Sequence, residues 1–320
     1  MVNSSSIKIY IAGHNGMVGS ACWRLLKKQG YQNLVGKSSD QLDLRNQKAV
    51  DDFIKQYQPD VIIDAAAKVG GILANNSYPY PFLMDNLQIQ NNLINAAHKY
   101  NVSKFIFLGS SCIYPKKSPQ PIKEDELLNG PLEPTNQWYA IAKITGVKLC
   151  QAIRQEFNKE FVSMMPTNLY GQKDNFDLKS SHVLPAMISK FHKAKLDQHA
   201  DVTLWGDGSP LREFLHVDDL AKAVVFALKT NLSHHIYNVG SGTEISIKEL
   251  AKVVQKVVGH RGKIRWDTSK PNGTPRKLMD STRIRQLGWT PTYSLEKGVK
   301  DTYQWFLQNS NNLKEVSFEN

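Results

Sequence analysis

Apolar residues in this chain fall into short clusters, separated by polar turns and by longer stretches where they recur every three or four positions. Ile7 to Ala12 forms the first cluster and predicts a buried strand. Val18, Cys22, Leu25 and Leu26 follow at helical spacing until Gly30, a residue suited to ending a helix. A second strand is expected at Leu34–Gly36 and a third at Val61–Ala67, a continuous apolar run of the kind a parallel sheet covered on both faces requires. From Pro81 to Tyr100 a helix is predicted; its Asn86–Asn95 portion is rich in amides, yet Leu87, Leu93, Ile94 and Ala97 supply an apolar face. Strand Phe105–Leu108, helix Tyr139–Phe157 and strand Phe161–Met164 continue the alternation. That order predicts an α/β fold, a Rossmann-type doubly wound parallel sheet with ligands at the carboxyl ends of its strands.

After residue 171 the regular alternation stops. The pattern there predicts a polar loop over 172–181, then a helix Val183–Phe191 capped by Ser180 or Ser181. A strand, turn and second strand are expected over Thr203–Phe214, followed by helix Val217–Leu228, strand Ile236–Val239 and helix Ile247–Val258. A proline-glycine loop at 270–275 and a helix Leu295–Leu307 complete the series, with a frayed end over 309–320. The expected division is a dinucleotide-binding domain over residues 1–170, to which elements from about 215–240 return, and a mainly substrate-binding domain over 171–320.

Composition narrows the function. A chain of 320 residues with 41% hydrophobic and 22% charged positions can bury a full core, which excludes disorder as the default. The net charge of +11 favours anionic partners such as nucleotides. No run of lysine and arginine concentrates it, and the aromatic-basic interleaving of a nucleic-acid reader is missing. Three cysteines, Cys22, Cys112 and Cys150, with no Cys-x-x-Cys, indicate neither a disulfide framework nor a metal site and fit a reducing cytoplasm. The first six residues lack the charged region of a secretory leader, and no apolar run is long enough to span a bilayer, so no membrane association is expected.

Two groups of residues carry candidate chemistry. Gly13, Gly16 and Gly19 lie between the first strand and the first helix, where glycines admit a pyrophosphate and the helix N-terminus offers free N–H groups and a positive dipole. His14, Asn15, Met17 and Val18 complete that turn. Beyond the second strand come Lys37, Ser38 and Ser39, with no acid before Asp40, which favours the 2'-phosphate of NADP over the bare ribose of NAD. Asp43 is the alternative contact, on the adenine side. The second group is Tyr139 and Lys143, four apart on one helix face, where the ammonium favours the phenolate of a group that otherwise titrates near pKa about 10. Ser110, just past strand Phe105–Leu108, can converge with them on one carbonyl oxygen.

Through Gly13, Gly16, Gly19, Tyr139 and Lys143 the chain resembles the extended short-chain dehydrogenase/reductases. The strings at 11–20, 65–72, 109–115, 133–136, 165–171, 212–219 and 273–277 resemble one branch of that family, the GDP-L-fucose synthases. That resemblance implies NADPH-dependent epimerisation and reduction of GDP-4-keto-6-deoxy-D-mannose in a single site, and a homodimer formed through helices like 81–100 and 139–157. A ketone at C4 acidifies C3 and C5, so inversion needs one group to remove a proton and another to return it from the opposite face. The resemblance gives the first role to Cys112 and the second to His182, groups whose ordinary pKa values suit proton transfer near neutrality. By the same resemblance Tyr139 protonates the C4 oxygen, Ser110 polarises it, and Lys143 tunes the tyrosine and holds the nicotinamide ribose.

Cofactor contacts implied on the nicotinamide side are Leu108, Gly109, Ser110, Ser111, Pro166, Thr167, Asn168 and Leu169, with Tyr139, Lys143 and His182. Those on the other side are Lys37, Ser39, Asp40, Gln41, Leu42, Asp43 and Leu44. Substrate contacts fall on Lys190, Trp205, Arg212, Asn272 and Lys277, although Trp205 could equally be core. Cys22 and Cys150, on apolar helix faces, are read as inert core residues. Asn15 and Ser39 stand where the family commonly has arginines, and Asn272 where it has an aspartate, which weakens the NADPH preference and leaves the Asn272 contact open. The nearest rivals are a related NAD(P)-dependent nucleotide-sugar 4-epimerase, 4-ketoreductase or 4,6-dehydratase. Ser110-Ser111-Cys112 argues against the dehydratase, where a threonine followed by acids is usual. A non-catalytic NADP-binding regulator is disfavoured by the intact catalytic set.

Overall fold

The computed structural model describes residues 6–178, 180–270 and 272–313. Strand β1 (Ile9–Ala12) leads into α1 (Met17–Lys28), followed by β2 (Leu34–Val35), α2 (Gln47–Tyr57) and β3 (Val61–Asp64). Next come α3 (Ile72–Ser77), α4 (Pro79–Lys99) and β4 (Lys104–Leu108). A connection containing short 3-10 turns at Ser111–Ile113, Glu124–Glu126 and Pro134–Asn136 runs to α5 (Gln137–Phe157), β5 (Glu160–Pro166) and β6 (Asn168–Tyr170). The remainder is α6 (Val183–Leu196), β7 (Val202–Trp205), β8 (Leu211–His216), α7 (Val217–Lys229), β9 (Ile236–Val239) and β10 (Glu244–Ser246). It ends with α8 (Ile247–Val258), β11 (Ile264–Asp267), β12 (Arg276–Lys277), α9 (Thr282–Gln286) and α10 (Leu295–Asn309).

Six strands form the expected parallel sheet, in the order β2-β1-β3-β4-β5-β9. Its strands are apolar on both sides because helices cover both. On one face Ile9, Ile11, Ile63 and Ile106 meet Cys22 and Leu26 of α1 and Leu220 and Val224 of α7. On the other, Tyr10, Ile62, Phe105 and Phe107 meet Val50 and Ile54 of α2, Leu93 and Ala97 of α4, and Val147 and Cys150 of α5. The alternation that marks a strand exposed on one face is absent from β1, β3 and β4, each buried throughout.

A second lobe is built on β8, which pairs with β10, β12 and β6, while β7 pairs with β11. Helices α6, α8 and α10 close around Phe191, Leu204, Phe214, Leu250 and Phe306. The strands expected over Thr203–Phe214 are present but leave for different sheets, separated by Gly206 and Gly208 at φ +75° and +78°.

Several elements differ from expectation. Helix α2 was not anticipated, because Lys48, Asp51, Asp52 and Lys55 dilute an apolar stripe reduced to Val50 and Ile54. Its start is nevertheless coded: the Asn46 side chain accepts the Ala49 N–H at 3.1 Å. Neither serine caps α6; His182 holds that position, and the Ser180 hydroxyl donates to Asp177 at 2.8 Å. Helix α3, the short strands β10, β11 and β12, and α9 were also unforeseen. Residues 1–5 and 314–320, on which the expectations of no secretory leader and of a frayed end mostly fall, lie outside the described residues. No helix among the described residues is long and apolar enough to cross a membrane.

The contact between α5 and β4 sets how deeply α5 is seated. A Cβ on Gly146 would lie 2.4 Å from Cζ of the buried Phe107 ring. Replacing a helical glycine by alanine ordinarily gains about 1 kcal/mol of helix propensity. Overpacking costs about 1–3 kcal/mol and decides the sign here. Gly146→Ala should therefore lower the thermal midpoint, measured by circular dichroism; a higher midpoint would show that Phe107 yields freely.

Candidate active site

Strand β1 delivers the chain into a turn where nothing but glycine fits. Gly13 has φ +75°, and a Cβ on it would lie 2.7 Å from the Ala65 carbonyl oxygen. A Cβ on Gly19 would lie 2.2 Å from the Gly13 carbonyl oxygen. The Gly16 N–H donates to that same oxygen at 2.9 Å, and Gly16 then opens α1 with no side-chain cap and no acid in the first turn. The free N–H groups of α1 thus face outward, with the positive end of the helix dipole. His14 turns its ring inward against Gly36 and, at 5.6 Å between centroids, towards Trp23. Burial and then the charge of Lys173 lower its pKa. The residues fit a nicotinamide dinucleotide: a backbone cradle that a Cβ would fill, closed by a bare helix N-terminus.

At the rim of that cradle Lys37 and Ser38 are half-buried, while Asn15, Ser39, Asp40 and Gln41 are exposed. The Ser38 N–H donates to the Gln41 side chain at 3.1 Å and Leu42 is buried, which shapes the turn. Both carboxylate oxygens of Asp43 face Arg45, at 3.0 Å from Nε and from Nη2. Arg45, which sequence reasoning missed, also lies 3.9 Å from Asp85, itself paired with Lys68 at 3.0 Å.

The second group converges at the carboxyl end of β4. Lys143, 2% exposed, donates from Nζ to the Leu108 carbonyl at 2.9 Å. Its ammonium stands 4.6 Å from the Phe107 ring centroid and 5.9 Å from that of Tyr139. The chain turns at Gly109, whose N–H donates to Met164 of β5. Ser110 follows, its hydroxyl accepting the Cys112 N–H at 3.3 Å and starting the short turn that carries the cysteine. Burial pushes the Cys112 thiol up; the Lys277 ammonium, the Ser110 hydrogen bond and Lys143 pull it back. Burial lowers Lys143, and Asp64, Cys112 and Cys150 oppose that.

Tyr139 does not behave as the spacing alone predicts. Crowding in the cleft, then Cys112 and Asp64, hold its phenol above the ordinary range. The phenol stays protonated rather than moving towards neutrality.

The second lobe brings its cations to this corner through strand register. Lys277 on β12 stands opposite Arg212 on β8. Next to Arg212 on β8, Glu213, fully buried, accepts the Gly242 N–H at 2.6 Å and the Met279 N–H at 3.0 Å. Its own carbonyl accepts Thr167 and Asn168, which lie with Pro166 and Leu169 at the β5–β6 junction. Sequence reasoning missed Glu213; its signal was an acid directly beside Arg212 inside an expected strand. Burial lowers both Lys277 and Arg212.

His182 stands at the start of α6. Its loop is fastened to the segment after β3 by the Gly71 N–H donating to Ser180 at 2.9 Å, and a Cβ on Gly71 would lie 2.7 Å from the Ser181 oxygen. The ring is reached by solvent yet crowded by protein atoms, and that desolvation lowers its pKa. Among the described residues no hydrogen bond joins it to Cys112 or Tyr139.

The other expected substrate contacts form an outer patch. Trp205, 58% exposed, is not core: the alternation of β7 buries Val202 and Leu204 and turns Thr203 and Trp205 outward. Lys270 stands 5.8 Å from its ring centroid. Asn272 accepts the Asp207 N–H at 2.9 Å, and Lys190 donates to the Thr203 carbonyl at 3.2 Å beside a cavity of about 280 Å³.

Comparison with known proteins places this geometry. The model of the NAD dependent epimerase/dehydratase family matches residues 9–240, from the start of β1 to just past the end of β9. The chain belongs to the NAD dependent epimerase/dehydratase family. Within the family it is 55% identical to GDP-L-fucose synthase 1 of Arabidopsis thaliana, over 96% of this chain and 95% of the relative. It is 49% identical to GDP-L-fucose synthase of Escherichia coli K12, over 97% and 99%. Among family structures, a GDP-L-fucose synthetase from Naegleria fowleri bound to NADP superposes with a TM-score of 0.91 at 30% identity, over 98% of this chain and 97% of that one.

Lys277 is the strongest charge acting on the Cys112 thiol. Lys277→Gln should raise the thiol pKa, shrink its thiolate fraction and slow iodoacetamide alkylation of Cys112 at pH 8 by about 3- to 10-fold. Lys190→Gln is the control. Equal rates in both variants would show that the Lys277 charge does not reach the thiol.

Proposed function

We propose that this chain catalyses the GDP-L-fucose synthase reaction, converting GDP-4-keto-6-deoxy-D-mannose by epimerisation at C3 and C5 and NADPH-dependent reduction at C4. The observation that carries this reading is the convergence of Ser110, Cys112, Tyr139 and Lys143 with Lys277 at the end of β4. A simple ketoreductase has no use for a thiol beside the serine and tyrosine.

Cys112 takes the proton from the carbon next to the ketone, and His182, from the start of α6, returns one to the opposite face. Arg212 and Lys277 bind anionic groups, and Lys190, Trp205 and Asn272 form the surface along which the nucleotide lies. Bound NADPH supplies the hydride for C4. Tyr139 then gives its proton to the C4 oxygen, which Ser110 holds by hydrogen bond, while Lys143 steadies the charge. A phenol kept protonated by crowding suits that direction of transfer. For the 2'-phosphate, Lys37 and the hydroxyls of Ser38 and Ser39 take the place of arginines. We assign residues 1–170, with 215–240, to the dinucleotide half and the rest mainly to the substrate half. Three free, buried cysteines suit a reducing cytoplasm.

The test is nicotinamide oxidation with this substrate in deuterated water, with NADPH and NADH in parallel. Oxidation giving GDP-L-fucose labelled at C3 and C5 is expected, with NADPH favoured. Cys112→Ser should slow label incorporation about 100-fold or more while dinucleotide binding persists. Oxidation without label would replace the reading by a 4-ketoreductase; no oxidation with either cofactor would overturn it.

Leu73, Tyr80, Met84, Trp138 and Ile141 leave apolar side chains exposed on α3, α4 and α5. A second copy of the chain covers them in this reading, as single exposed apolar residues need no explanation but a cluster does. Light scattering at micromolar concentration should give twice the chain mass, and Ile141→Asp should halve it. A monomeric parent would remove the dimer.

A further inference from the structure

Asp64 ends β3, is fully buried, and has no part in the chemistry described so far. Its Oδ1 accepts the Ala66 N–H at 3.2 Å, whereas its Oδ2 has no hydrogen-bond partner among the described residues. Buried carboxylates without partners are costly and rare, so this oxygen calls for an explanation. In the parallel register Asp64 stands opposite Phe107, and the Phe107 ring carries the Lys143 ammonium.

Burial pushes Asp64 up to about 6, with Lys143 the first influence opposing it. Asp64 is in turn the first influence holding Lys143 up against burial. The other titratable groups facing Asp64 are Tyr10 on β1 and Tyr139 and Cys150 on α5, each pushed up by burial and so uncharged near neutrality. Among the described residues Lys143 is therefore the cation that Asp64 can serve, though no ion pair within 4 Å joins them.

Resting on the reading of Tyr139 and Lys143 given above, we propose that Asp64 is a positioning residue, the counter-ion that keeps the Lys143 ammonium charged beside the reacting oxygen. It touches neither substrate nor cofactor and acts through Lys143. As pH rises, a buried lysine without a counter-ion loses its proton earlier, and reduction fails with it.

Asp64→Asn keeps the shape and removes the charge. The alkaline limb of the pH profile for NADPH-dependent reduction should move down by about one pH unit. The rate should thus fall about 10-fold at pH 9 and change by less than about 3-fold at pH 7. A limb that does not move overturns the proposal.

A second readout needs no activity: a double-mutant cycle on the thermal midpoint at pH 8, pairing Asp64→Asn with Lys143→Met. The change caused by Asp64→Asn should be at least about 3 °C more favourable in the Lys143→Met background than in the parent. Equal changes in both backgrounds would make Asp64 a structural residue that serves only the Ala66 N–H. Should Asp64→Asn not fold, Asp64→Ser, which retains an acceptor for that N–H, goes through the same cycle. A parent that oxidises no NADPH would sink the functional reading, and the cycle would still decide whether Asp64 and Lys143 are coupled.

Discussion

A lysine ammonium taken out of water loses hydration that few protein groups replace, and the architecture around Lys143 is arranged to replace it. One proton goes to the Leu108 carbonyl, and the charge rests on the face of Phe107. Each support depends on a different element. The Leu108 carbonyl is at the end of β4, where the chain turns at Gly109 and no helix or strand beyond it competes for the acceptor. The Phe107 ring is available because α5 approaches β4 at Gly146, close enough that a methyl group would collide. A strand end, a turn and a helix face are thus held to one geometry by a single buried charge.

The second lobe supplies what the parallel sheet cannot. Open α/β sheets place ligands beyond the carboxyl ends of their strands, so groups on the far side of the ligand must come from elsewhere. In the reading proposed above they come from β8 and β12, whose register sets Arg212 beside Lys277, and the Glu213 carboxylate fixes that register from inside through two backbone N–H groups. The same residue's carbonyl holds Thr167 and Asn168 at the end of β5, so it ties the parallel sheet to the strands of the second lobe. A buried carboxylate that accepts hydrogen bonds at both oxygens is well placed to persist, unlike Asp64 with one oxygen unpartnered among the described residues.

Features set by local spacing were legible in the sequence. The three glycines of the cradle, the four-residue step from Tyr139 to Lys143 and the strands of the parallel sheet each follow from a backbone period or a glycine requirement. Features set by register between distant segments were not. Glu213 and Arg45 gain their meaning from partners that sequence order does not reveal, and the link from Gly71 to the His182 loop joins segments more than a hundred positions apart. Trp205 is a different case. The alternation of Val202 and Leu204 with Thr203 and Trp205 was readable, and a strict period of two would have placed the indole on the open face.

The tyrosine shows why spacing cannot settle chemistry. Helical geometry brings a cation near Tyr139, and in water that alone would favour the phenolate. In the folded chain protein atoms crowd both groups, and that desolvation disfavours the phenolate and the ammonium alike. The pair therefore resists having both members charged unless a further anion compensates the lysine. In the proposed reaction the phenol gives its proton to the C4 oxygen, and a phenol protonated beforehand is ready for that transfer. The balance then rests on keeping Lys143 charged while Tyr139 stays neutral, which requires a negative charge nearer to the lysine's surroundings than to bulk water, and β3 ends in one.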